Sequence, residues 1–145
     1  MKAVVTRVTS ASVTIEGEVH GKIGTGFLVL LGVGPNDTQE IAKKLAQKIC
    51  RTRIFKDEND KMNLSLDQVG GELLIISQFT LYADLGSRRP GFSGAAAPAL
   101  AEKLYEDFVG YCREEGFHVE TGIFGADMKV ASLNDGPVTL LFEIN

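Results

Sequence analysis

The feature of this sequence that most limits its fold is the apolar run at residues 27–33. It reads Phe-Leu-Val-Leu-Leu-Gly-Val and shows no alternation of apolar and polar residues. A strand with this pattern is apolar on both faces, so it belongs inside a sheet that is covered on each side. The run is also much shorter than the roughly 20 residues that a membrane-spanning helix needs. We therefore expect a buried central strand and no membrane span.

Shorter segments with strand patterns surround this run. Residues 2–9 alternate, with Val4, Thr6 and Val8 on one side, and residues 11–16 continue in mostly β-branched residues. Further strands are predicted at residues 72–82, 117–120, 128–133 and 138–144. The last two are expected to form a hairpin, because the residues between them are Asn, Asp, Gly and Pro, which all favour turns.

Two segments instead repeat apolar residues at three- and four-residue steps, which predicts amphipathic helices. The first helix is expected at residues 38–51, where Asp37 and Glu40 would form a capping box. The second is expected at residues 98–115, with Pro98 in its first turn. The two apolar stripes are Ile41, Ala42, Leu45, Ala46, Ile49 and Cys50, then Leu100, Ala101, Leu104, Tyr105, Phe108, Val109 and Cys112.

These elements predict an α+β fold with mainly antiparallel, barrel-like β-sheets flanked by two α-helices. A chain of 145 residues with 44% hydrophobic residues has the usual size of one domain, so we expect a single domain over residues 1–145. Residues 1–8 contain no long apolar stretch and no cleavage site, which favours a cytoplasmic protein.

The histidine and cysteine content narrows the chemistry. His20 and His118 are the only histidines and lie far apart in the sequence, so we expect no metal, no cofactor and no histidine general base. Cys50 and Cys112 continue the apolar stripes of the two helices, so burial as small hydrophobic residues explains them better than a disulfide.

The net charge of the chain is unfavourable for nucleic-acid binding, but the distribution of its basic residues is not. The formal net charge is −4, whereas phosphate binding depends on Lys and Arg. Lys44, Lys48 and Arg51 fall on one side of the first predicted helix. These three residues form either an ordinary solvated face or a phosphate-binding surface. The second predicted helix carries more acidic than basic residues.

A polar break follows the apolar start of the strand predicted at residues 72–82. Ser77, Gln78 and Thr80 interrupt this strand, and a buried polar group without a partner costs roughly 1–3 kcal/mol. They therefore either bond to neighbouring backbone or line a site, with Phe79 as a core residue or a platform for a base. A nucleophilic hydroxyl at Ser77 or Thr80 would need a base, and only Asp84 lies within local reach.

Two motifs carry a resemblance to a known family. The segments Ser-Gln-Phe-Thr-Leu at residues 77–81 and Asn-Asp-Gly-Pro-Val-Thr at residues 134–139 resemble the two signatures of D-aminoacyl-tRNA deacylases. The likeness continues at residues 7–13, 53–63, 89–90 and 122–128, so it spans the whole chain. The resemblance implies an enzyme that hydrolyses the ester of D-aminoacyl-tRNA, and glycyl-tRNA as well.

The resemblance also implies how such an enzyme is built. It would be a homodimer in which the bond between Gly136 and Pro137 is cis and this pair enters the partner's active site. The carbonyl groups of Gly136 and Pro137 would then exclude L-aminoacyl substrates. Ser77, Gln78, Phe79 and Thr80 would form the catalytic segment, with backbone N–H groups near Phe79 and Thr80 stabilising the oxyanion.

Further site residues come from the same resemblance. It implies that the ribose 2′-hydroxyl of the tRNA assists the attack, and that Phe124 stacks on the terminal adenine in a pocket shared with Ala126 and Met128. Ile123 departs from the Lys or Arg common in relatives, which removes one phosphate contact. The remaining candidates for phosphate contacts are Lys44, Lys48, Arg51, Arg88 and Arg89.

Two alternatives stay open at the level of sequence. One is an ester hydrolase in which Thr80 is a conventional nucleophile and forms an acyl-enzyme. The other is a non-catalytic nucleic-acid-binding or replication-associated module, for which an acidic chain without interleaved basic and aromatic residues is poor material.

Overall fold

A computed structural model describes all 145 residues of the chain. Eight strands and two helices follow one another along it. The strands are β1 (Lys2–Ile15), β2 (Glu18–Ile23), β3 (Gly26–Gly32), β4 (Phe55–Lys56), β5 (Met62–Leu64), β6 (Glu72–Ser77), β7 (Val119–Thr121) and β8 (Lys129–Glu143). The helices are α1 (Gln39–Cys50) and α2 (Pro98–Glu114), and short 3-10 turns form at Asp67–Val69 and Phe79–Tyr82.

The long strand β1 organises the sheet. One of its edges pairs with β8 along most of its length, and the other pairs first with β3 and then with β2. The sheet continues from β3 through β6 to β7. The far end curls back towards β2, where His20 Nδ1 lies 2.8 Å from the carbonyl oxygen of Thr121. The predicted α+β, barrel-like fold with two helices is confirmed, although the β3–β6 and β6–β7 pairs are parallel and make the sheet mixed.

The strand β3 is buried on both faces, as its composition predicts. Phe27, Val29 and Leu31 join the larger core, which includes the apolar stripes of both helices. Leu28 joins a second, smaller core inside the curl of the sheet, together with residues of β1, β2 and β6. Both helices thus cover the same face of the sheet, and the sheet itself encloses the other. No helix is long and apolar enough to cross a membrane.

The helix bounds agree with the predicted ones, but the predicted cap of α1 is wrong. Thr38 is the N-cap, and its hydroxyl accepts from the N–H of Ile41 at 3.3 Å. The carboxylate of Asp37 instead accepts from the N–H of Gly34 at 2.7 Å and from the amino group of Met1 at 2.8 Å. A capping box fails here because tertiary partners compete for the Asp37 side chain.

The two cysteines are buried and free, which confirms their prediction as core residues. Cys50 lies on α1 and Cys112 on α2, so the pair belongs to the contact between the helices. Contact with the Cys50 thiol and burial both raise the pKa of the Cys112 thiol. The thiols of Cys50 and Cys112 are therefore part of the packed core.

The predicted hairpin at residues 134–137 is also wrong, because β8 is one strand from Lys129 to Glu143. Asn134 pairs with Val8 and Thr139 pairs with Thr6, so residues 135–138 stand opposite Arg7 alone. The residues that favour a turn form this bulge instead of a hairpin, because the parts of β8 on both sides of them pair with the same long strand, β1. The bulge projects a short loop from the sheet.

The structure shows which side of β1 faces inward, which its alternation alone does not predict. Ala3, Val5 and Arg7 are buried, whereas Val4 and Thr6 are only half-buried, and Val8 is buried in the smaller core. An arginine therefore occupies an inward position at the level of the β8 bulge.

Candidate active site

The polar break predicted in the long strand is the point where β6 ends. The strand stops at Ser77, and Phe79–Tyr82 turns into a 3-10 helix. The N–H of Gln78 still donates to Leu31 at 2.7 Å, which ties the start of this turn to β3. A Cβ on Gly32 would lie 3.0 Å from the Cβ of Leu81 and 3.1 Å from the carbonyl oxygen of Gln78. Glycine at position 32 thus lets the turn pack closely on the sheet.

A cavity of about 580 Å³ opens beside this turn. Its volume falls within the range of roughly 300–1,000 Å³ that is usual for small-molecule sites. Most of its lining residues are apolar, and they include Ser77, Gln78, Phe79, Phe124, Ala126 and Met128. The structure therefore brings three residues of the predicted catalytic segment together with the predicted adenosine-binding residues, which are distant in the sequence. Thr80, the fourth residue of that segment, does not line the cavity.

The hydroxyl of Thr80 has one side-chain partner, the amide of Gln78, which donates to it. Asp84, the only acidic candidate for a local base, accepts instead from the N–H of Gly86 at 2.9 Å and orders its own loop. Neither histidine lines the cavity. The one carboxylate that lines the cavity, Asp127, pairs with Lys129 at 3.0 Å. Neither acidic side chain is therefore hydrogen-bonded to Thr80 as a base that activates a nucleophilic hydroxyl would be.

Tyr105 supports the cavity wall from below. Its ring lies 6.4 Å from the ring of Phe124, and its hydroxyl donates to the carbonyl of Ile75 at 2.6 Å. Burial is the main cause that raises the pKa of Tyr105 to about 12. Tyr105 thus links α2, β6 and Phe124, the residue predicted to stack on adenine.

Replacing Tyr105 with phenylalanine should lower the free energy of unfolding by about 1 kcal/mol, because one buried hydrogen bond is lost while the ring remains. Urea unfolding measures this change. Tyr111→Phe on the same helix is the matched control, since the hydroxyl of the half-buried Tyr111 makes no side-chain hydrogen bond. Equal destabilisation by both substitutions would show that the contact with Ile75 contributes nothing specific.

Gly136 and Pro137 lie in the exposed bulge of β8, and the peptide bond between them is cis, as the resemblance implies. They do not line the cavity of their own chain. Asn134 clamps the loop from one side, because its side chain accepts from the N–H of Val138 at 2.8 Å and donates to the Thr139 hydroxyl at 3.0 Å.

Arg7 holds the same loop from beneath. Its side chain is 2% exposed, its Nε donates to the carbonyl of Asp135 at 2.9 Å, and its Nη1 donates to the carbonyl of Ile54 at 2.6 Å. The carboxylate of Asp135 lies 3.7 Å from the same Nε. The sequence reasoning did not single out Arg7 as a site residue. Its place in the same alternation as Ala3 and Val5 is the signal that marks it as an inward-facing charge.

The predicted phosphate contacts fall into two groups with different surroundings. On α1, Lys44 pairs with Glu40 at 3.4 Å, Arg51 pairs with Glu115 at 2.8 Å, and Lys48 lies 6.0 Å from the ring centre of Phe142. In the loop at residues 84–91, Arg88 and Arg89 are exposed and form no ion pair. This loop is followed by Phe92, which lines the cavity and was not predicted as a site residue.

Comparisons with known proteins agree on the class of the chain. A family model described as D-Tyr-tRNA(Tyr) deacylase matches residues 4–143. The chain is 57% identical over 144 residues to the D-aminoacyl-tRNA deacylase of Thermosipho africanus, covering 99% of this chain and 97% of that one. It is 58% identical over 144 residues to the D-aminoacyl-tRNA deacylase of Desulfatibacillum aliphaticivorans, covering 99% of both.

Solved structures give the same fold. A c-Myc DNA Unwinding Element Binding Protein superimposes with a TM-score of 0.94 at 41% identity, covering 100% of this chain and 99% of that one. A probable eukaryotic D-amino acid tRNA deacylase superimposes with a TM-score of 0.84 at 18% identity, covering 99% and 98% of the two chains, and shows likeness of fold.

The family model and these relatives place the chain in the class of carboxylic ester hydrolases. Within that class, the chain belongs to the D-Tyr-tRNA(Tyr) deacylase family.

Proposed function

We propose that this protein hydrolyses the ester bond of D-aminoacyl-tRNA and releases free tRNA and the D-amino acid. The observation that carries the proposal is the cavity in which Ser77, Gln78 and Phe79 face Phe124, Ala126 and Met128. One wall offers an apolar, aromatic surface for a nucleoside, and the other offers a polar turn beside it. Membership of the family supports this substrate class. The proposed location is the cytoplasm, where aminoacyl-tRNA is used.

The terminal adenosine of the tRNA would occupy the apolar wall. Phe124 would stack on the adenine, with Ala126 and Met128 closing the pocket around it. Stacking of a base on an aromatic side chain contributes on the order of 1–3 kcal/mol. The support that Tyr105 gives to Phe124 would keep this platform in place.

The ester carbonyl would then lie against the turn at residues 77–80. The N–H groups of Phe79 and Thr80 are the first of a 3-10 helix, so they have no partner within that helix. Donors of this kind stabilise the oxyanion that forms when water attacks an ester. As the family resemblance implies, the 2′-hydroxyl of the terminal ribose would assist the attack, and a cavity lined by no histidine is consistent with this role.

Selectivity for D-amino acids would come from the partner subunit. The exposed bulge of β8 offers the carbonyl groups of Gly136 and Pro137, and these would face the substrate's α-amino group in the other active site. An L side chain would then meet main-chain atoms, while D side chains would point outward. Glycyl-tRNA would pass this filter, since glycine has no side chain to exclude.

The surface of β8 supports a homodimer. Leu133 is 63% exposed and Leu141 is 81% exposed, although both are large apolar residues. β8 pairs only with β1, so its other edge is unpaired, and proteins usually cover such edges. A dimer formed through this region would carry the bulge of each chain to the partner.

The activity is tested by incubating the protein with D-tyrosyl-tRNA and L-tyrosyl-tRNA and measuring the tRNA that stays charged. We expect rapid loss of the D-ester and little loss of the L-ester. Equal deacylation of both substrates would contradict the chiral filter, and deacylation of neither would contradict the proposal as a whole.

Thr80→Ala separates the proposed chemistry from the alternative in which Thr80 is the nucleophile. We expect the variant to keep deacylase activity within about tenfold of the original, because the backbone donors remain. The alternative requires loss of activity in the variant and a covalent acyl-enzyme in the unmodified protein. Rapid-quench kinetics and mass spectrometry of the intact protein measure both outcomes.

The phosphate contacts are tested by neutralising each basic group separately. Arg88→Ala with Arg89→Ala should weaken tRNA binding and flatten its dependence on salt, because each lost phosphate contact reduces counterion release. The triple change at Lys44, Lys48 and Arg51 should have the smaller effect, since two of these charges already have carboxylate partners. An unchanged salt slope in either variant removes that group from the tRNA-binding surface.

A second candidate function is DNA binding, which the name of the solved structure at 41% identity favours. The formal net charge of −4 opposes this function for the present chain. Fluorescence anisotropy with single-stranded DNA distinguishes the two, because tight DNA binding without deacylation would support the second candidate.

A further inference from the structure

Two exposed phenylalanines meet at the cavity rim. Phe79 is 53% exposed and Phe92 is 40% exposed. Their ring centres are 5.1 Å apart at an interplanar angle of 71°, so the rings contact edge to face. Both side chains line the cavity, yet neither belongs to a hydrophobic core. An apolar patch of this kind on a soluble surface usually marks a binding site.

Loop structure, rather than core packing, fixes Phe92 in this position. The ends of the preceding loop are joined by two backbone hydrogen bonds between Asp84 and Gly91, at 2.7 and 3.0 Å. At the tip, the N–H of Arg89 donates to the hydroxyl of Ser87 at 3.2 Å. The loop therefore delivers an aromatic ring to the rim and does not merely connect two elements.

The same loop carries two unpaired cations. Arg88 and Arg89 are exposed and form no ion pair, whereas most basic side chains on α1 have partners. Exposed aromatic rings beside free guanidinium groups are the combination by which proteins hold single-stranded nucleic acid. This charge complementarity favours a polynucleotide over an apolar peptide as the occupant of the rim.

We infer that Phe79 and Phe92 form a second stacking platform, which holds the base of the nucleotide preceding the terminal adenosine, with Arg88 and Arg89 at the adjoining phosphates. The inference rests on the proposed function, because that function places the terminal adenosine on Phe124 inside the cavity, and the rest of the tRNA then leaves across the rim. The platform gives the protein a means to distinguish aminoacyl-tRNA from smaller aminoacyl esters.

Phe92→Ala tests the platform on two substrates, D-tyrosyl-tRNA and D-tyrosyl-adenosine, which lacks the preceding nucleotide. We expect the kcat/KM for the tRNA to fall by about 5- to 150-fold, which is the effect of losing one stacked base. The kcat/KM for D-tyrosyl-adenosine should fall by a much smaller factor, because this ester lacks the nucleotide that the platform holds. Phe92→Tyr is the matched control, because it keeps the ring and should retain activity on both substrates.

Other outcomes overturn the inference. An equal loss on both substrates would mean that Phe92 contacts the amino acid or positions the ester. No loss on the tRNA would mean that the rim is not used. A change in oligomeric state, measured by analytical ultracentrifugation, would assign the patch to the subunit interface.

A binding measurement keeps this inference separate from the proposed function. Anisotropy of a labelled oligoribonucleotide ending in the tRNA sequence CCA reports on the platform even if the unmodified protein deacylates nothing. We expect Phe92→Ala to weaken this binding about 5- to 150-fold relative to Phe92→Tyr. Equal binding by the two variants would overturn the platform, whatever the catalytic result.

Discussion

Gly136→Ala is expected to lower the kcat/KM for D-aminoacyl-tRNA by about 100-fold, which is the scale of loss when a site group is displaced by about 1 Å. Gly136 has φ of +136°, a region that residues with a side chain rarely adopt. A Cβ at this position would lie 2.8 Å from Cγ2 of Val138 and 2.9 Å from Nη2 of Arg7. Alanine at this position would therefore strain the backbone, and its methyl group would collide with the side chains of Val138 and Arg7.

Neither neighbour can move away easily. Val138 is 9% exposed, and its N–H is held by the side chain of Asn134 at 2.8 Å. Arg7 is 2% exposed and is held by two carbonyl groups. The loop at residues 135–138 must shift instead. If its carbonyl groups form the chiral filter in the partner's site, this shift should also reduce the ratio of D- to L-deacylation.

Gly17→Ala provides the matched control. Gly17 also has positive φ, +80°, but a Cβ there would meet nothing within 4 Å. This variant should lose about 1–3 kcal/mol of stability through backbone strain and keep its activity and its D/L ratio. Deacylation kinetics with both tRNA esters, at a temperature where each variant is folded, separates the two glycines. A Gly136→Ala variant with an unchanged rate and D/L ratio would contradict the proposed filter.

The sequence predicts the helices and the central strand well, because burial leaves a clear pattern in each of them, a helical period in the helices and an unbroken apolar run in the strand. The stripes from Ala42 to Cys50 and from Ala101 to Cys112 face the larger core as their spacing requires. The apolar run of β3 is likewise covered on both faces. These elements can be predicted without information on their distant partners, because the pattern within each segment determines which side is buried.

The pairing of β1 and β8 is less predictable, because two structures satisfy the same local preferences. Asn-Asp-Gly-Pro suits a hairpin turn as well as a bulge, and only the partner strand decides between them. The cap of α1 fails for a similar reason, since Asp37 and Thr38 are both good caps and Asp37 is engaged by Gly34 and Met1. Tertiary contacts decide such cases.

The candidate site likewise has one part that the sequence predicts and another that depends on tertiary contacts. The polar break at Ser77 is visible in the sequence, whereas its closeness to Phe124 and Met128 depends on the parallel pairing of β6 with β7 and on the loop beyond. The resemblance to a family supplied that connection. Phe92 and Arg7 were not predicted as site residues, because a lone aromatic residue in a polar loop and a lone arginine in a strand have many ordinary explanations.

Arg7→Met should lower the free energy of unfolding by roughly 3–6 kcal/mol, because hydrogen bonds from a charged group contribute about 1.5–3 kcal/mol each. Arg7 donates one such bond to Asp135 and another to Ile54. Methionine fills a similar apolar volume but leaves both carbonyl groups without this donor. The change should also free the loop that holds Gly136, so the D/L ratio of deacylation should fall together with the stability.

Arg53→Met is the control that separates burial from charge. Arg53 also donates through Nε to a backbone carbonyl, that of Asn63 at 2.8 Å, but it is exposed. Its replacement should change stability by less than about 1 kcal/mol and leave the D/L ratio unchanged.

Arg7→Lys adds a further test, because an ammonium group keeps the charge without the planar fork that reaches two carbonyl groups at once. If Arg7→Lys restores stability but not the D/L ratio, Arg7 acts as a positioning residue for the loop. If Arg7→Met matches Arg53→Met in both measurements, the clamp under the loop contributes neither stability nor selectivity.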